Sequence, residues 1–292
     1  MPMIVDLTAP TVEPPTTVSS PDGWLKAAVD QTWAGVVLAV NYTAGTPLAQ
    51  AADVRKIRLT RQDPGAPAGV PVRGADPAWA VEGRGQAYDH EAPLGVGVTY
   101  TVRPQFADGA WGPESSLGLT IPEPAPVADV WVKSLDEPGL SARVTVTAWP
   151  QLSWESRIDQ AAIAGSPYPI ASQDVYGAAT SDITLDADGA AIDAVRRLLT
   201  EPGVRLLQTR PGYRRADMFV LFASPAEALD AGPADSRTFT ASVVQVARPD
   251  TQGQRMRMPG WSYDALAAQF ASYDAAAASY PTYQSLAVRG LL

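Results

Sequence analysis

His90 is the only histidine among the 292 residues of the chain, and the chain contains no cysteine. A Ser-His-Asp triad or a multi-histidine metal site within the chain would therefore need His90. The residue stands in an apparent loop before a strand, and we interpret it as a surface or loop-structural residue. The lack of thiols excludes disulfides, zinc–thiolate sites and cysteine nucleophiles. The glycine motifs of P-loops and dinucleotide-binding folds and the Gly-x-Ser-x-Gly motif do not occur.

The segment between residues 182 and 189 has part of the spacing of a calcium loop. An EF-hand needs oxygen ligands at positions 1, 3 and 5, glycine at 6 and glutamate at 12. With Gly189 at position 6, position 12 is Val195, so the closing bidentate ligand is missing. We therefore expect Asp186 or Asp188 to cap a helix rather than to bind a metal.

Two pairs of neighbouring carboxylates could in principle hydrolyse a glycosidic bond. They are Asp136 with Glu137 and Asp89 with Glu91. Such residues are common, and the sequence does not set the distance between them. We predict that the protein is not an enzyme and has no catalytic, cofactor-binding or metal-binding residue, with a hydrolase as a lower-ranked alternative.

Two arginine pairs are candidate interface residues. Arg196 and Arg197 lie on the polar flank of a predicted helix, and Arg214 and Arg215 lie in a predicted turn. Because the net charge is −9, these cations are natural partners for carboxylates on a neighbouring copy. The alternative is an ordinary solvated face.

Aromatic side chains supply two further candidate surfaces. Ser262 can cap a helix that reaches about Ser279, with one stripe of apolar side chains three and four residues apart. The stripe docks either on the chain's own domains or on another subunit; its candidate interface residues are Leu266, Phe270 and Tyr273. For the aromatic residues of the first domain the main interpretation is core packing, as for Tyr100 and Trp33, and stacking of Trp79 or Trp111 on a sugar is the alternative.

The composition favours a β protein without nucleic acid or membrane partners. Hydrophobic residues make up 46% of the chain and charged residues 18%, with 27 Pro and 23 Gly, which suits short strands joined by tight turns. The acidic balance disfavours nucleic acid. The longest apolar run, Trp33 to Val40, is too short to span a bilayer and predicts a buried strand. The N-terminus lacks the pattern of a secretory signal.

The stretch from Asp174 to Leu207 is the centre of the second predicted domain. It reads as strand, turn, helix and strand, with the helix at residues 189–201 and its apolar side chains at 3.6-residue spacing. We predict an extended arm (residues 1–23), a β-sandwich (24–122), a proline linker (123–126), a second β-sandwich with this one flanking helix (127–249), and a linker with a C-terminal helical segment (250–292).

The first domain resembles a fibronectin type III domain. Leu94, Gly97 and Tyr100, which opens an alternating strand, have the pattern of the tyrosine corner. The resemblance implies that the Tyr100 ring enters the core and that its hydroxyl bonds back to the backbone.

The order of segments resembles minor tail proteins at the tail tip, or baseplate, of siphophages that infect actinobacteria. The residues that carry the resemblance are Tyr-Asp-His-Glu-Ala-Pro-Leu-Gly (88–95), Asp-Val-Trp-Val-Lys-Ser-Leu-Asp-Glu-Pro (129–138), Ser-Gln-Asp-Val (172–175) and the aromatic, Ala-rich end. The second domain is similar to a tail-tube or distal-tail β-sandwich.

The resemblance implies a structural virion protein, made in the host cytoplasm, that links the tail tube to hub and receptor-binding proteins. Its expected partners are further copies in a three-fold or six-fold ring, other tail-tip proteins, the tail tube and the tape measure. The alternative function is a host-surface glycan-binding module that uses Trp79 or Trp111.

Overall fold

A computed structural model describes residues 16–123, 129–229, 236–259 and 262–287 of the chain. The protein is mainly β, with two β domains and a C-terminal helical segment. The predicted fold class is therefore confirmed. Most of the predicted N-terminal arm and of the proline linker lies outside the described residues.

The first domain is a sandwich of two antiparallel sheets. Its strands are β1 (Thr17–Ser19), β2 (Leu25–Asp30), β3 (Gly35–Asn41), β4 (Val54–Gln62), β5 (Val70–Pro71), β6 (Ala78–Trp79), β7 (Arg84–Asp89), β8 (Gly97–Phe106) and β9 (Ser115–Thr120). One sheet has the order β1-β2-β3-β7 and the other the order β5-β4-β8-β9, with β6 also paired to β4. Side chains from both sheets share one core. Strand β1 falls within the range expected for the arm.

The tyrosine corner differs from the expected one in its acceptor. The Tyr100 ring is fully buried, but its hydroxyl donates to Oδ2 of Asp89 at 3.0 Å and not to the backbone. Asp89 ends β7 beside this ring, and an ionised carboxylate is a stronger acceptor than a carbonyl.

The second domain is built on one antiparallel sheet that closes on itself. Its strands are β10 (Asp129–Ser134), β11 (Ser141–Ala148), β12 (Ser153–Trp154), β13 (Ile158–Ala161), β14 (Ile170–Gln173), β15 (Ala179–Asp188), β16 (Arg205–Gln208), β17 (Met218–Leu229) and β18 (Ser236–Gln245). The order β11-β10-β16-β17-β18-β15 is completed by pairing of β15 with β11. Closure removes the free edges of these six strands.

Helix α1 (Ala191–Thr200) packs on this closed sheet as predicted, through Val195, Leu198 and Leu199. The predicted aspartate cap is wrong, because the N-cap residue is Ala190 and no side chain caps the helix. Pairing with β18 extends β15 through Asp188 and keeps both aspartates in the strand. Gly189, at a φ of +54°, then makes the turn into the helix.

The C-terminal segment forms three short helices. The prediction was one continuous helix from Ser262 to about Ser279. The three helices are α2 (Tyr263–Gln269), α3 (Tyr273–Ser279) and α4 (Tyr283–Ala287). The predicted cap at Ser262 is present. Ser272 caps α3 in the same way and adopts an extended backbone, so the continuous helix is interrupted there.

Candidate functional site

A buried polar joint connects the two domains. Alternation along β10 directs Val130 and Val132 into the core of the second domain, so Trp131 and Lys133 face the other way. Trp131 joins the core cluster of the first domain. Lys133 is fully buried, and its Nζ donates to the carbonyl oxygens of Ala34 at 2.7 Å and of His90 at 3.1 Å. One amine therefore ties the second domain to two loops of the first.

Burial lowers the pKa of Lys133 to about 7. The nearby carboxylates of Asp217, Asp89 and Glu91 oppose this shift, and the Arg61 cation adds to it. Around pH 7, the buried Lys133 side chain therefore changes between its ammonium form and its neutral amine form.

His90 also lies in the joint, so the expectation of a surface residue is wrong and that of a structural loop residue agrees with its place. Its Nε2 lies 3.0 Å from Oγ of Ser141. Because the Ser141 hydroxyl donates to the Pro138 carbonyl, the imidazole N–H donates to Ser141. Burial, with a smaller contribution from the Lys133 charge, holds the pKa of His90 well below its usual value. The pair of Ser141 and His90 is buried. The neighbouring Asp89 carboxylate accepts hydrogen bonds from Arg61 and Tyr100.

Asp89 and Glu91 each join side chains from distant parts of the chain. Oδ2 of Asp89 lies 2.7 Å from Nη1 of Arg61. Burial opposes ionisation of Asp89, but the Arg61 cation and hydrogen bonds hold its pKa below the usual value. The two oxygens of Glu91 lie 2.6 Å from Nε of Arg73 and 2.6 Å from Nε of Arg248. Glu91 thus links the first domain to the segment that leaves the second. These carboxylates are ion-pair acceptors, not an acid–base pair.

Residues 251–258, predicted as a linker, lie against the first domain. Met256 and Met258 pack on Val37 and Tyr88, and Oγ1 of Thr251 donates to Asp76 at 3.1 Å. This contact explains why β3 is buried on both faces.

Three of the four predicted arginine residues have side-chain partners within the chain. Arg196 makes a two-bond contact with Glu227, at 2.8 Å each, and Arg197 pairs with Glu201 at 2.7 Å. The Arg215 guanidinium stacks on Trp149 at 4.4 Å. Arg214 is exposed in a left-handed turn. The proposed contacts with another copy stay predictions.

The predicted aromatic stripe is not one surface. Leu266 is buried, Phe270 is half-buried with its ring edge-on to Tyr280 at 5.7 Å, and Tyr273 is 83% exposed. The break between α2 and α3 separates side chains that a continuous helix would align.

The two candidate tryptophans differ in accessibility. The Trp111 ring contacts the guanidinium groups of Arg58 and Arg103, at 4.8 and 5.9 Å from its centre. Trp79 is 74% exposed and lines a cleft of about 480 Å³ that Tyr283 also lines. Only Trp79 therefore offers an open aromatic surface.

The hairpin of β13 and β14 is a surface that the sequence analysis missed. Among the described residues, these strands pair only with each other, and all of their own residues are exposed. The strand register puts Ile158 and Ile170 on opposite faces of the hairpin. We call the exposed apolar side chains on both faces and around the hairpin the hairpin surface; they are Trp154, Ile158, Ile163, Tyr168, Ile170, Val175 and Tyr176. The signal available in the sequence was an apolar, charge-poor stretch with a central Gly-Ser-Pro turn.

Asp182 and Asp186 accept hydrogen bonds from Ser242 and Thr238 across the sheet. Over the described ranges, no group of three or more His, Asp or Glu side chains has an arrangement that could hold a metal ion. Within the same ranges, no helix is both long and apolar enough to cross a bilayer. Comparison with protein-family models and with curated proteins gives no match.

Proposed function

We propose that the protein is a structural component of a siphophage tail tip, a minor tail protein that assembles with copies of itself into a three-fold or six-fold ring. In this role it connects the tail tube to hub and receptor-binding proteins of the virion. The proposal starts from the resemblance of the sequence segments to minor tail proteins.

The hairpin surface is the observation that carries the proposal. A two-stranded hairpin is at best marginally stable alone in water, and β13 and β14 also leave both outer edges unpaired within the described structure. Clusters of exposed apolar side chains on soluble proteins mark interaction sites, and here such side chains lie on both faces of the hairpin. A second molecule that pairs with this hairpin would satisfy backbone groups and bury apolar side chains together.

A rigid body behind the hairpin suits an assembly role. The closed sheet supports the hairpin through β12, which pairs with β15. Hydrogen bonds and ion pairs of the polar joint hold the second domain against the first. Such bonds require defined distances and angles. A subunit of this kind presents its hairpin at a defined angle, which a closed ring requires.

The test compares the wild-type protein with a variant in which four hairpin residues are replaced by serine: Ile158, Ile163, Tyr168 and Ile170. Size-exclusion chromatography with light scattering is run on each protein alone and with neighbouring tail proteins. We expect a trimer or hexamer for the wild type and a monomer for the variant. The matched control is Val81→Ser, which removes an equally exposed apolar side chain from the first domain.

A wild-type protein that stays monomeric under all of these conditions would contradict the proposed ring. Assembly of the four-serine variant to the same mass as wild type would show that the hairpin surface is not the contact. Circular dichroism on the variant establishes that its two domains remain folded.

A further inference from the structure

The cleft beside Trp79 lies between the first domain and the last described helix. One wall comes from β6, β7 and the turn that joins them, and the other comes from the start of α4. Its volume of about 480 Å³ lies within the range of small-ligand sites, roughly 300–1,000 Å³. We call it the Trp79 cleft.

The turn between β6 and β7 positions the charged residues of the Trp79 cleft. Val81 and Arg84 exchange both of their backbone hydrogen bonds, at 2.9 Å each. Glu82 lies in the two-residue loop between them at a φ of +50°, which is typical of the tightest hairpin turns. Along β7, the buried Gly85 alternates with Arg84 and Gln86. The side chains of Arg84 and Gln86 therefore face outward from the sandwich.

The start of α4 supplies the second aromatic ring of the cleft. The Thr282 hydroxyl accepts a hydrogen bond from the backbone N–H of Ser285 at 3.0 Å, which caps this short helix. Tyr283 follows as the first helical residue, and it is 92% exposed. Trp79 and Tyr283, both open to solvent, therefore border one cleft.

Cations outnumber carboxylates at the Trp79 cleft. Arg84 and Glu82 line it with opposite charges. Lys56 pairs directly with Trp79 between β4 and β6, so the two side chains lie on one face of the sheet. The Lys56 ammonium lies 5.0 Å from the centre of the Trp79 ring. The charged groups that line the cleft or contact this ring are thus two cations and one carboxylate, in a chain whose net charge is −9.

The polar side chains of the cleft differ in their bonding from those of the joint. In the joint, Arg61 and Arg73 are paired with carboxylates. Within the described ranges, no hydrogen bond or ion pair joins the side chains of Arg84, Glu82 or Gln86 to another residue. Their donors and acceptors are therefore free to bind a ligand.

The chemistry of these residues fits an acidic sugar. Aromatic side chains pack on the apolar C–H faces of a sugar ring, which removes both surfaces from water. The Arg84 guanidinium can bind a carboxylate through two hydrogen bonds. The Glu82 carboxylate accepts hydrogen bonds from hydroxyl groups and repels other carboxylates. A ligand with both a carboxylate and hydroxyl groups therefore fits better than an acidic peptide.

We propose that the Trp79 cleft binds an acidic saccharide, a sugar that carries a carboxylate together with free hydroxyl groups. The sugar ring packs on Trp79 and Tyr283. Its carboxylate lies at Arg84, near the positive charge of Lys56, and its hydroxyl groups bond to Glu82. The cleft is separate from the hairpin surface, so this inference goes beyond the assembly role and does not depend on it.

The experiment measures binding of the full-length protein to polygalacturonate, alginate and hyaluronate at low salt. Each polymer is also tested as its methyl ester, which keeps the sugar rings and removes the charge. Polyglutamate supplies the charge without the rings. We expect at least one acidic polysaccharide to bind, and we expect its methyl ester and polyglutamate to bind about tenfold more weakly.

Variants of the cleft residues test whether the binding occurs there. Trp79→Ala and Tyr283→Ala should each weaken binding about tenfold, because each removes apolar contact with the sugar ring. Arg84→Gln should weaken it about two- to fivefold at low salt and less at high salt. The matched controls are Tyr263→Ala and Arg214→Gln, exposed side chains outside the cleft, which should bind as wild type does.

The proposal is overturned if no acidic polysaccharide binds, or if the cleft variants bind as tightly as wild type. It is also overturned if the methyl ester binds as tightly as the acid, which would remove the role of the cations. Equal binding of polyglutamate would instead assign the cleft to an acidic peptide. Because the four-serine hairpin variant tests assembly separately, failure of one proposal is distinguishable from failure of the other.

Discussion

The polar joint and the hairpin surface reverse the usual placement of charged and apolar side chains. In the joint, Lys133, Asp89 and Glu91 are buried and have partners from distant parts of the chain. In the hairpin, Ile170 and Tyr168 are 64% and 78% exposed. Charged groups are rarely buried unless they are paired, whereas single exposed apolar residues are common and clusters of them are not.

The difference separates contacts within the chain from contacts made by it. A buried charge needs its partners at fixed positions, since removing one leaves an uncompensated charge. The joint therefore specifies how the two domains sit. The apolar side chains of the hairpin surface are exposed, and in the proposed assembly they contact another molecule. Variants in the two regions should consequently affect different measurements.

The largest stability effect is expected from Glu91→Gln in the joint. The amide keeps the size of the side chain but leaves the guanidinium groups of Arg73 and Arg248 without their shared carboxylate. Breaking a buried ion pair on one side costs about 3–5 kcal/mol. Urea unfolding should show this loss as a lower free energy of unfolding.

The control for this variant is Glu114→Gln, which breaks the exposed ion pair with Arg103. Exposed pairs contribute about 0–1 kcal/mol, so the control should unfold almost as wild type does. Equal costs for the two variants would mean that the joint does not hold the domains together.

Lys133→Met should change how stability depends on pH. The folded pKa of Lys133 is about 7, while that of an unfolded lysine is about 10.4. Between these values the unfolded chain binds more protons, so wild-type stability rises with pH from about 7 to about 10.4, by on the order of a few kcal/mol. Methionine has no proton to lose, so the variant should lose this rise.

The lowered pKa values of His90 and Asp89 act on the acid side of the same profile. For both groups the unfolded chain binds more protons, so stability falls as the pH drops below their unfolded values. This acid limb should remain in Lys133→Met. Parallel profiles for wild type and variant above pH 7 would contradict the assignment of the rise to Lys133.

Local sequence patterns predicted several elements of this protein. The apolar run gave β3, the alternation from Tyr100 gave β8, and the 3.6-residue period gave α1, because each of these signals arises within one element. The sequence did not predict that β15 pairs with β11 or that Asp188 lies in a strand, because both features depend on partners far along the chain.

The joint was missed for the same reason. Its members come from separate segments, and no spacing along the chain connects Glu91 with Arg248 or Lys133 with Ala34. The alternation of β10 is visible in the sequence, but it does not show that the face with Trp131 and Lys133 lies against the first domain. The break between α2 and α3, by contrast, has a local signal in the sequence, the cap residue Ser272.

Two isoleucines in the second domain give the sharpest comparison of stability. Ile183 lies in β15 and is 1% exposed, with its side chain in the core. Ile183→Ser removes a large apolar side chain and buries a hydroxyl, so it should cost about 2–5 kcal/mol. Urea unfolding of the variant measures this cost.

Ile170→Ser, in β14, should have the smallest effect on the isolated protein. The side chain is already in water, so its loss should change the free energy of unfolding by less than about 0.5 kcal/mol. The same substitution should nevertheless weaken self-association, because the hairpin surface would lose apolar area at its contact. Measured by light scattering over a dilution series, the dissociation constant should increase while the urea midpoint stays constant. A large loss of stability would instead mean that the hairpin packs on its own chain, and the contrast with the joint would then fail.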